Sequence, residues 1–514
     1  MKKYTSFILI IALSLWAVCS GFSTANAGEN ITPTDLPPAG VEQPFETPTD
    51  LVSFGDITED RVINAKDALW VLKAAVCKCI IPLHQELIAD VTRDGRIDAK
   101  DALEMLKYAV GKPNAIQPME IKLQTIWPDS YTANTPYATA WKTQLATADI
   151  SYGIKTNIEG IDPYTAVDTF AKGVLAGKVE TDLIEVTLYT ARMIAKQKVA
   201  ANLYQSKTLN KSLFRNGGTG GMTFDDRCYG VSLLANSSVP AGILYNKDLL
   251  KRYAPDVDIQ DLYAKKDWTF DALRALANRC TVDVDEDGKI DLYGITSNNN
   301  IMGMAASSNT GGSAVMKNGR IEDVLFTQEG VDAMLWCKDL YKTDKSWRYR
   351  ADLRTAIQEF AEEKAVMFAA YGYMSQRVAE TADFEMGFVP MAIGPSQTDY
   401  VNNSFDAAVY MVPKTNERRL NEVGIWLNGI ADVSDALMKV RMEQLVESGV
   451  DAQGCKNYEK ILRSATPDYS TGVYGSGSIG SYVENMPSFT PERLVVVHQS
   501  VQQELDDFYA SFYE

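Results

Sequence analysis

Four aspartates stand within twelve residues from Asp90 to Asp101, with Gly95 at the sixth place. Calcium is a hard cation that takes six to eight oxygens, and a twelve-residue loop can supply them from positions 1, 3, 5, 7, 9 and 12. Those positions hold Asp90, Thr92, Asp94, the Arg96 carbonyl, Asp98 and Asp101. An upstream copy in the same register offers Asp56, Thr58, Asp60, the Val62 carbonyl, Asn64 and Asp67. There Arg61 replaces the glycine, so the left-handed backbone needed at the sixth place is strained and a positive charge sits near the ion. The first loop is therefore expected to bind more weakly. A single such loop could be an acidic turn capping a helix. Two copies, each running on into A-K-D-A-L-x-x-L-K-x-A-V, point to paired calcium sites. A third stretch places Asp283, Asp285, Asp287, the Lys289 carbonyl and Asp291 in the same order, with Gly288 at the sixth place. Its twelfth position is Gly294, so a cation there needs an outside ligand; the alternative is an acidic solvated turn.

The elements that must hold the paired loops are short. Apolar residues recur at helical spacing behind each loop, at Leu69, Leu72 and Val76 and again at Leu103, Leu106 and Val110. Residues 53–112 make a module of about 60 residues, a size at which a core alone is marginal. Bound metal would then contribute directly to folding.

The whole chain has 514 residues, 46% apolar and 23% charged, with a formal charge of −17. That charge argues against nucleic acid, whose phosphates it would repel. Met1-Lys2-Lys3, the apolar run FILIIALSLWAV and Ala25–Ala27 read as a secretion signal over residues 1–27. A lipid-modified Cys19 is the rival reading, although Val18 before it is bulky. Residues 28–52 form a Pro/Thr-rich linker, and residues 113–117 a second, short boundary. No later stretch is long and apolar enough to span a bilayer, so a secreted, extracellular protein without membrane insertion is expected. Six cysteines follow Cys19 without the spacing of a disulfide framework. Cys77, Cys79 and His84 lack a fourth metal ligand, and the cysteines read as small buried or free thiols.

Residues 118–514 alternate β-rich runs such as MEIKLQTI, TDLIEV and AVMFAA with helical stretches such as TFDALRALANRC, which predicts an α/β body. They carry no G-x-S-x-G and no H-E-x-x-H, and their one histidine is His498. The run Asn216–Gly221 is followed by no Lys-Ser/Thr, so a flexible loop is expected there rather than a phosphate cradle. Nothing in this composition marks an enzyme.

The paired loop-and-helix repeats of residues 53–112 resemble a dockerin of type I, the calcium module that plugs into the cohesins of a cellulosome scaffoldin. Arg61 and the threonines at position 3 depart from the usual pattern. The resemblance implies two calcium ions and a cohesin-binding face that includes loop positions 10 and 11: Ala65 and Lys66, Ala99 and Lys100, with Leu72, Lys73, Leu106 and Lys107 on the following helices. Identity of these residues between the copies implies binding in two orientations related by a pseudo-twofold axis.

The order of LYNKDLLKRYAPD, DWTFDALRALANRC, VDVDEDGKIDLYGIT, FAEEKAVMFAAYGY and FEMGFVPM is similar to extracellular solute-binding proteins of the maltose-binding type. That implies a two-lobed, periplasmic-binding-protein-like body closing on an oligosaccharide, without chemistry. Sugars need aromatic platforms and planar polar groups, and open α/β sheets bind ligands at the carboxyl ends of strands. Trp127, Asp129, Tyr189, Tyr229, Asn298, Asn299, Tyr371 and Tyr373 stand at such places; Trp268 and Trp336 are expected in the core. The resulting reading is a secreted, cellulosome-associated, non-catalytic carbohydrate-binding protein on the cell surface. Its alternatives are a dockerin-borne polysaccharide-degrading enzyme and the substrate-binding component of an ABC sugar permease.

Overall fold

The computed structural model describes residues 54–513 apart from 82, 117, 215–220, 234–239, 299, 405–406, 432 and 471–489. The expected signal segment 1–27 with Cys19, the linker 28–52, most of the run Asn216–Gly221, and Asn299 lie outside the described residues. The chain forms two units. The first runs to Gly160 and adds Ser206–Leu209 and Arg419–Val433; the second comprises Ile161–Gln205, Asn210–Arg418 and Ser434–Glu514.

The first unit begins with a three-helix module. Helices α1 (Ala65–Ala75) and α3 (Ala99–Ala109) follow the two loops, and α2 (Leu83–Ala89) lies between them. Asn64 and Asp98 cap α1 and α3 by accepting the amides of Lys66 and Lys100, while Asp67 and Asp101 reach back to the cap backbones. Each cap is thus a closed box that satisfies the free amides of the first turn. The module's core is Phe54, Ala68, Val71, Ile88, Val91, Ala102, Met105 and Ile116. The residues whose spacing marked an apolar helix face lie outside it: Leu69 is 50% exposed, Val76 61%, Leu103 51% and Val110 66%. Both helices therefore carry two apolar faces, and the ones with Ala68 and Val71 and with Ala102 and Met105 pack inward.

The same unit continues through β1 (Met119–Thr125), α4 (Pro136–Tyr152) and β2 (Ile154–Gly160). The strands pair in parallel from Met119↔Ile154 to Thr125↔Gly160, so α4 is the crossover of a βαβ element. Thr135 caps α4 and Pro136 opens it; Gly153 closes it at φ +61°, a left-handed turn suited to glycine. Helix Leu420–Ala431 lies alongside, with the Trp426 indole donating to the Thr156 hydroxyl at 2.9 Å and the Gln144 amide to the Gly429 carbonyl at 2.8 Å.

Besides shorter two-stranded ribbons, the second unit has the strands β3 (Leu183–Thr187), β4 (Ala241–Asn246), β5 (Tyr293–Ser297), β6 (Trp347–Tyr349), β7 (Ala365–Tyr371), β8 (Met386–Pro390) and β9 (Ala408–Met411). β9 pairs antiparallel with β3. The other five form one mixed sheet in the order β6-β5-β7-β4-β8. β6 and β7 both run parallel to β5, and β4 runs antiparallel to β7 and β8. β7 and β8 are buried nearly throughout, as expected of sheet strands covered on both faces. Phe360, Phe368, Phe388 and Tyr458 centre the core on one side. Trp268 is buried with its indole donating to the Pro390 carbonyl, and Trp336 stacks on Phe270, both as expected of packing residues. Among the described residues no helix is long and apolar enough to cross a membrane.

The closing helix Pro491–Tyr513 is pinned to the strand Arg320–Asp323 by residues one helical turn apart. Gln502 accepts from the Asp323 amide and donates to the Ile321 carbonyl; Asp506 pairs with Arg320; His498 Nδ1 lies 2.5 Å from the buried Asp323 carboxylate. Asp323 raises the His498 pKa above its ordinary 6.5, and Glu322 adds to the effect. Because the folded pKa is the higher one, the contact stabilises fully below 6.5 and is lost as pH rises through the folded value. Thermal denaturation across that window should show the loss in the native chain and not in His498→Gln. Partial exposure of His498 keeps it below about 1 kcal/mol.

Candidate calcium loops and ligand edge

The two N-terminal loops repeat each other in the bonds made by positions 1 and 12. In the first, the Asp56 carboxylate accepts the amides of Asp60 and Arg61 at 3.2 and 2.7 Å. Asp67 accepts the Thr58 amide and hydroxyl, both at 2.9 Å, and the Asn64 amide at 2.8 Å. In the second, Asp90 accepts the amides of Asp94 and Gly95 at 3.2 and 2.8 Å. Asp101 accepts the Thr92 amide and hydroxyl at 3.0 and 2.9 Å and the Asp98 amide at 2.9 Å. Lys66 and Lys100 pair with Asp60 and Asp94 on the outside.

These donors suit a hard cation. Asp56, Asp67 and Asp101 are fully buried and Asp90 nearly so. Burial pushes the Asp56 and Asp90 carboxyls up, and the neighbouring charges of Asp67 and Asp101 push further. Buried carboxylates of like charge are costly unless a cation joins them. Oxygens of Asp56, Asp60 and Asp67 lie within 4.8 Å of one another, a spacing that a single calcium ion can span. The six donors of each loop would hold it; calcium would supply charge compensation and fix the loop, with no chemistry of its own.

The backbone bears out the strain read from Arg61. Position 6 is left-handed in both loops, at φ +69° for Arg61 and +80° for Gly95. The same contrast recurs where the helices end. Cys77 and Gly111 take φ +56° and +67°, and each pair of closing amides bonds back into its helix, the usual left-handed helix stop. The first copy thus carries side chains at two places where the second carries glycine. Arg61→Gly with Cys77→Gly should stabilise the first repeat, and Arg61→Gly alone should tighten its calcium site by roughly 1 kcal/mol, about fivefold. A calcium titration of the full chain that resolves the first-loop site measures it.

The Asp283 loop shares the left-handed pair, at Glu286 (φ +60°) and Gly288 (φ +84°). Oxygens of Asp283, Asp285 and Asp287 lie within 4.8 Å of one another. Asp291 turns to the amides of Val284 and Asp285, at 2.7 and 3.4 Å. At position 12, a Cβ on Gly294 would meet the Ala277 backbone at 2.1 Å, so packing forbids the carboxylate that the loop lacks.

The expected partner-facing residues stay on the surface: Ala65, Lys66, Leu72, Lys73, Ala99, Lys100 and Leu106 are exposed, and Lys107 is half-exposed through its pairing with Glu104. Cys77 is exposed and Cys79 half-exposed; among the described residues all six cysteines are free. Burial raises the Cys228, Cys280 and Cys455 thiols to about 11, which makes them poor nucleophiles.

The candidate ligand residues do not form one set. In the second unit the parallel register brings Asn298, after β5, and Tyr371, ending β7, to the same sheet edge. Tyr373 stacks on Tyr371 with centroids 5.9 Å apart and planes 9° from parallel, and both pack against the core cluster. Tyr349 and Arg350, which the sequence did not single out, reach this edge because β6 pairs Tyr349 with Ser297; Arg350 donates to Glu359 at 2.7 Å. Tyr229 belongs elsewhere, edge-on to Phe512 at 6.0 Å. Tyr189 is exposed on the helix after β3. In the first unit Trp127 is 5% exposed and Asp129 lies on the surface.

Residues 54–110 match the dockerin type I domain. No curated protein matches the chain. The dockerin is followed by a body whose fold is shared with solved solute-binding proteins. The M. tuberculosis protein UspC aligns at 15% identity with TM-score 0.56, covering 75% of this chain and 99% of that one. A cyclo/maltodextrin-binding protein complexed with maltotetraose aligns at 13% and 0.55, covering 76% and 98%. The extracellular solute-binding protein from Staphylococcus aureus in complex with maltose aligns at 12% and 0.54, covering 77% and 100%. The likeness shows the fold, which is α/β with an N-terminal dockerin.

Proposed function

We propose that the protein is a secreted, non-catalytic carbohydrate-binding subunit, held on a cell-surface scaffold by calcium-dependent docking of its dockerin into a cohesin. The observation that carries this reading is the outward apolar face repeated on the two dockerin copies, Leu69, Leu72 and Val76 and Leu103, Leu106 and Val110, all exposed. A monomer gains nothing from such a face, and a partner that covers it does. The body's likeness to proteins solved with maltose and maltotetraose supports an oligosaccharide as its ligand, with Asn298, Tyr371 and Tyr373 as contacts. Trp127, Asp129, Tyr189 and Tyr229 are less suited, by burial, position or packing. The protein should be titrated by calorimetry with maltodextrins and plant-derived oligosaccharides beside an assay for released sugar. Heat of binding without turnover is expected; release of sugar from any glycan would overturn the non-catalytic reading. The binding-protein fold also favours a second reading, delivery of the ligand to an ABC permease, for which transport by cells lacking this chain is the test.

We also propose a third calcium at Asp283, Asp285, Asp287, the Lys289 carbonyl and Asp291. Asp283 Oδ1 is buried without a hydrogen-bond partner, which is costly unless a cation or water meets it. Calcium stoichiometry should be three in the full chain and fall to two in Asp283→Ala.

A further inference from the structure

We propose that the second dockerin loop is the joint between the dockerin and the body, and that Arg93, at its fourth position, links calcium occupancy to this packing. The two repeats match on their partner-facing residues but differ here. Position 4 of the first loop is Glu59, which accepts from Gln85 at 2.5 Å within the dockerin. In the second loop it is Arg93, whose guanidinium donates to the Gly153 carbonyl at 3.0 Å and the Tyr152 carbonyl at 3.5 Å, where α4 turns into β2. The same guanidinium lies over the Phe54 ring, 4.5 Å from its centroid. Phe54 is 4% exposed, and its amide donates to the Ile150 carbonyl at 3.2 Å. Tyr152 completes the contact by packing against the dockerin core.

The fit is close. A Cβ on Gly153 would meet the Phe54 ring at 2.6 Å, and one on Gly95 would meet the Lys207 stem at 3.7 Å. The short connector is also tied to the dockerin: Ile116 is in its core, and the Ala115 amide donates to Glu104 at 2.7 Å. Arg93 stands between the loop oxygens Thr92 and Asp94 and holds φ +57°, so the backbone that calcium would fix is the backbone that aims the guanidinium. Without the ion, repulsion among Asp90, Asp94 and Asp101 would release it. Linkage is reciprocal: whatever calcium adds to the packing, the packing returns to calcium affinity at this loop and not at the first.

The inference rests on the calcium reading of the loops but on neither cohesin nor sugar binding, and its test uses the full chain without those partners. Hydrogen exchange across residues 150–156 should slow about tenfold when calcium is added to the metal-free protein. Arg93→Ala should abolish that slowing. Gly153→Ala, which leaves every loop residue in place, should weaken the second-loop calcium site about fivefold and spare the first-loop site. By charge alone, removing Arg93 would tighten the second site. A tightened site with an unchanged corner would therefore overturn the proposal. So would calcium-independent exchange in the native chain, or a Gly153→Ala variant with both sites at native affinity. If Arg93→Ala fails to fold, the native chain and Gly153→Ala still decide.

Discussion

With alanine at the twelfth position of both loops, Asp67→Ala and Asp101→Ala together, the dockerin should no longer fold at neutral pH even in excess calcium. Each aspartate closes its loop from three directions, accepting the position-3 amide and hydroxyl and the position-9 amide. Each also closes the capping box of its helix. Hydrogen bonds to a carboxylate are among the stronger ones, so each loop should lose at least roughly 3 kcal/mol besides its calcium ligand. A module this small has no reserve to absorb that loss. Helical content followed by circular dichroism during a calcium titration should rise in the native chain and stay flat in the double variant. The body should still melt cooperatively in both, lower in the double variant only by the loss of the dockerin's contact with residues 150–153. A calcium-dependent rise in the double variant would mean that the aspartates serve the helices rather than an ion.

The second large effect concerns the repeated face. Lys66→Ala with Leu72→Ala in the first copy alone should weaken cohesin binding no more than about twofold, the statistical loss of one of two equivalent orientations. The same changes in both copies, adding Lys100→Ala with Leu106→Ala, should weaken it more than about 100-fold, because central apolar anchors carry most of an interface's energy. Both copies keep these residues on the surface, which is the condition for either orientation. Loss of binding on altering one copy would show a single orientation and end the dual-mode reading.

Much of this was legible in the sequence because spacing alone determines it. The paired acidic loops, the left-handed place of Arg61 and the strands in MEIKLQTI, TDLIEV and AVMFAA follow from period and residue type. Other features depend on choices that the sequence leaves open. Helix α1 has apolar residues on two faces, and Ala68 and Val71 turn inward while the bulkier Leu69, Leu72 and Val76 stay out; hydrophobicity alone ranks them the other way. Helix α4 is hard to read because Ala and Thr dilute its apolar period, although Thr135-Pro136 and Gly153 mark its ends. Arg93 looked like any charged loop residue, since its partners are carbonyls 59 and 60 residues away. The sheet edge that carries the candidate residues was half legible: strand ends place Asn298 and Tyr371 there, but only the register of β6 brings in Tyr349 and Arg350.

The most direct measurement is a calorimetric titration of the full chain with a cohesin, first in calcium, then after exhaustive chelation, then with calcium restored. One tight binding event that vanishes on chelation and returns with calcium is expected. Equal affinity in the presence and absence of calcium would contradict the proposed anchoring.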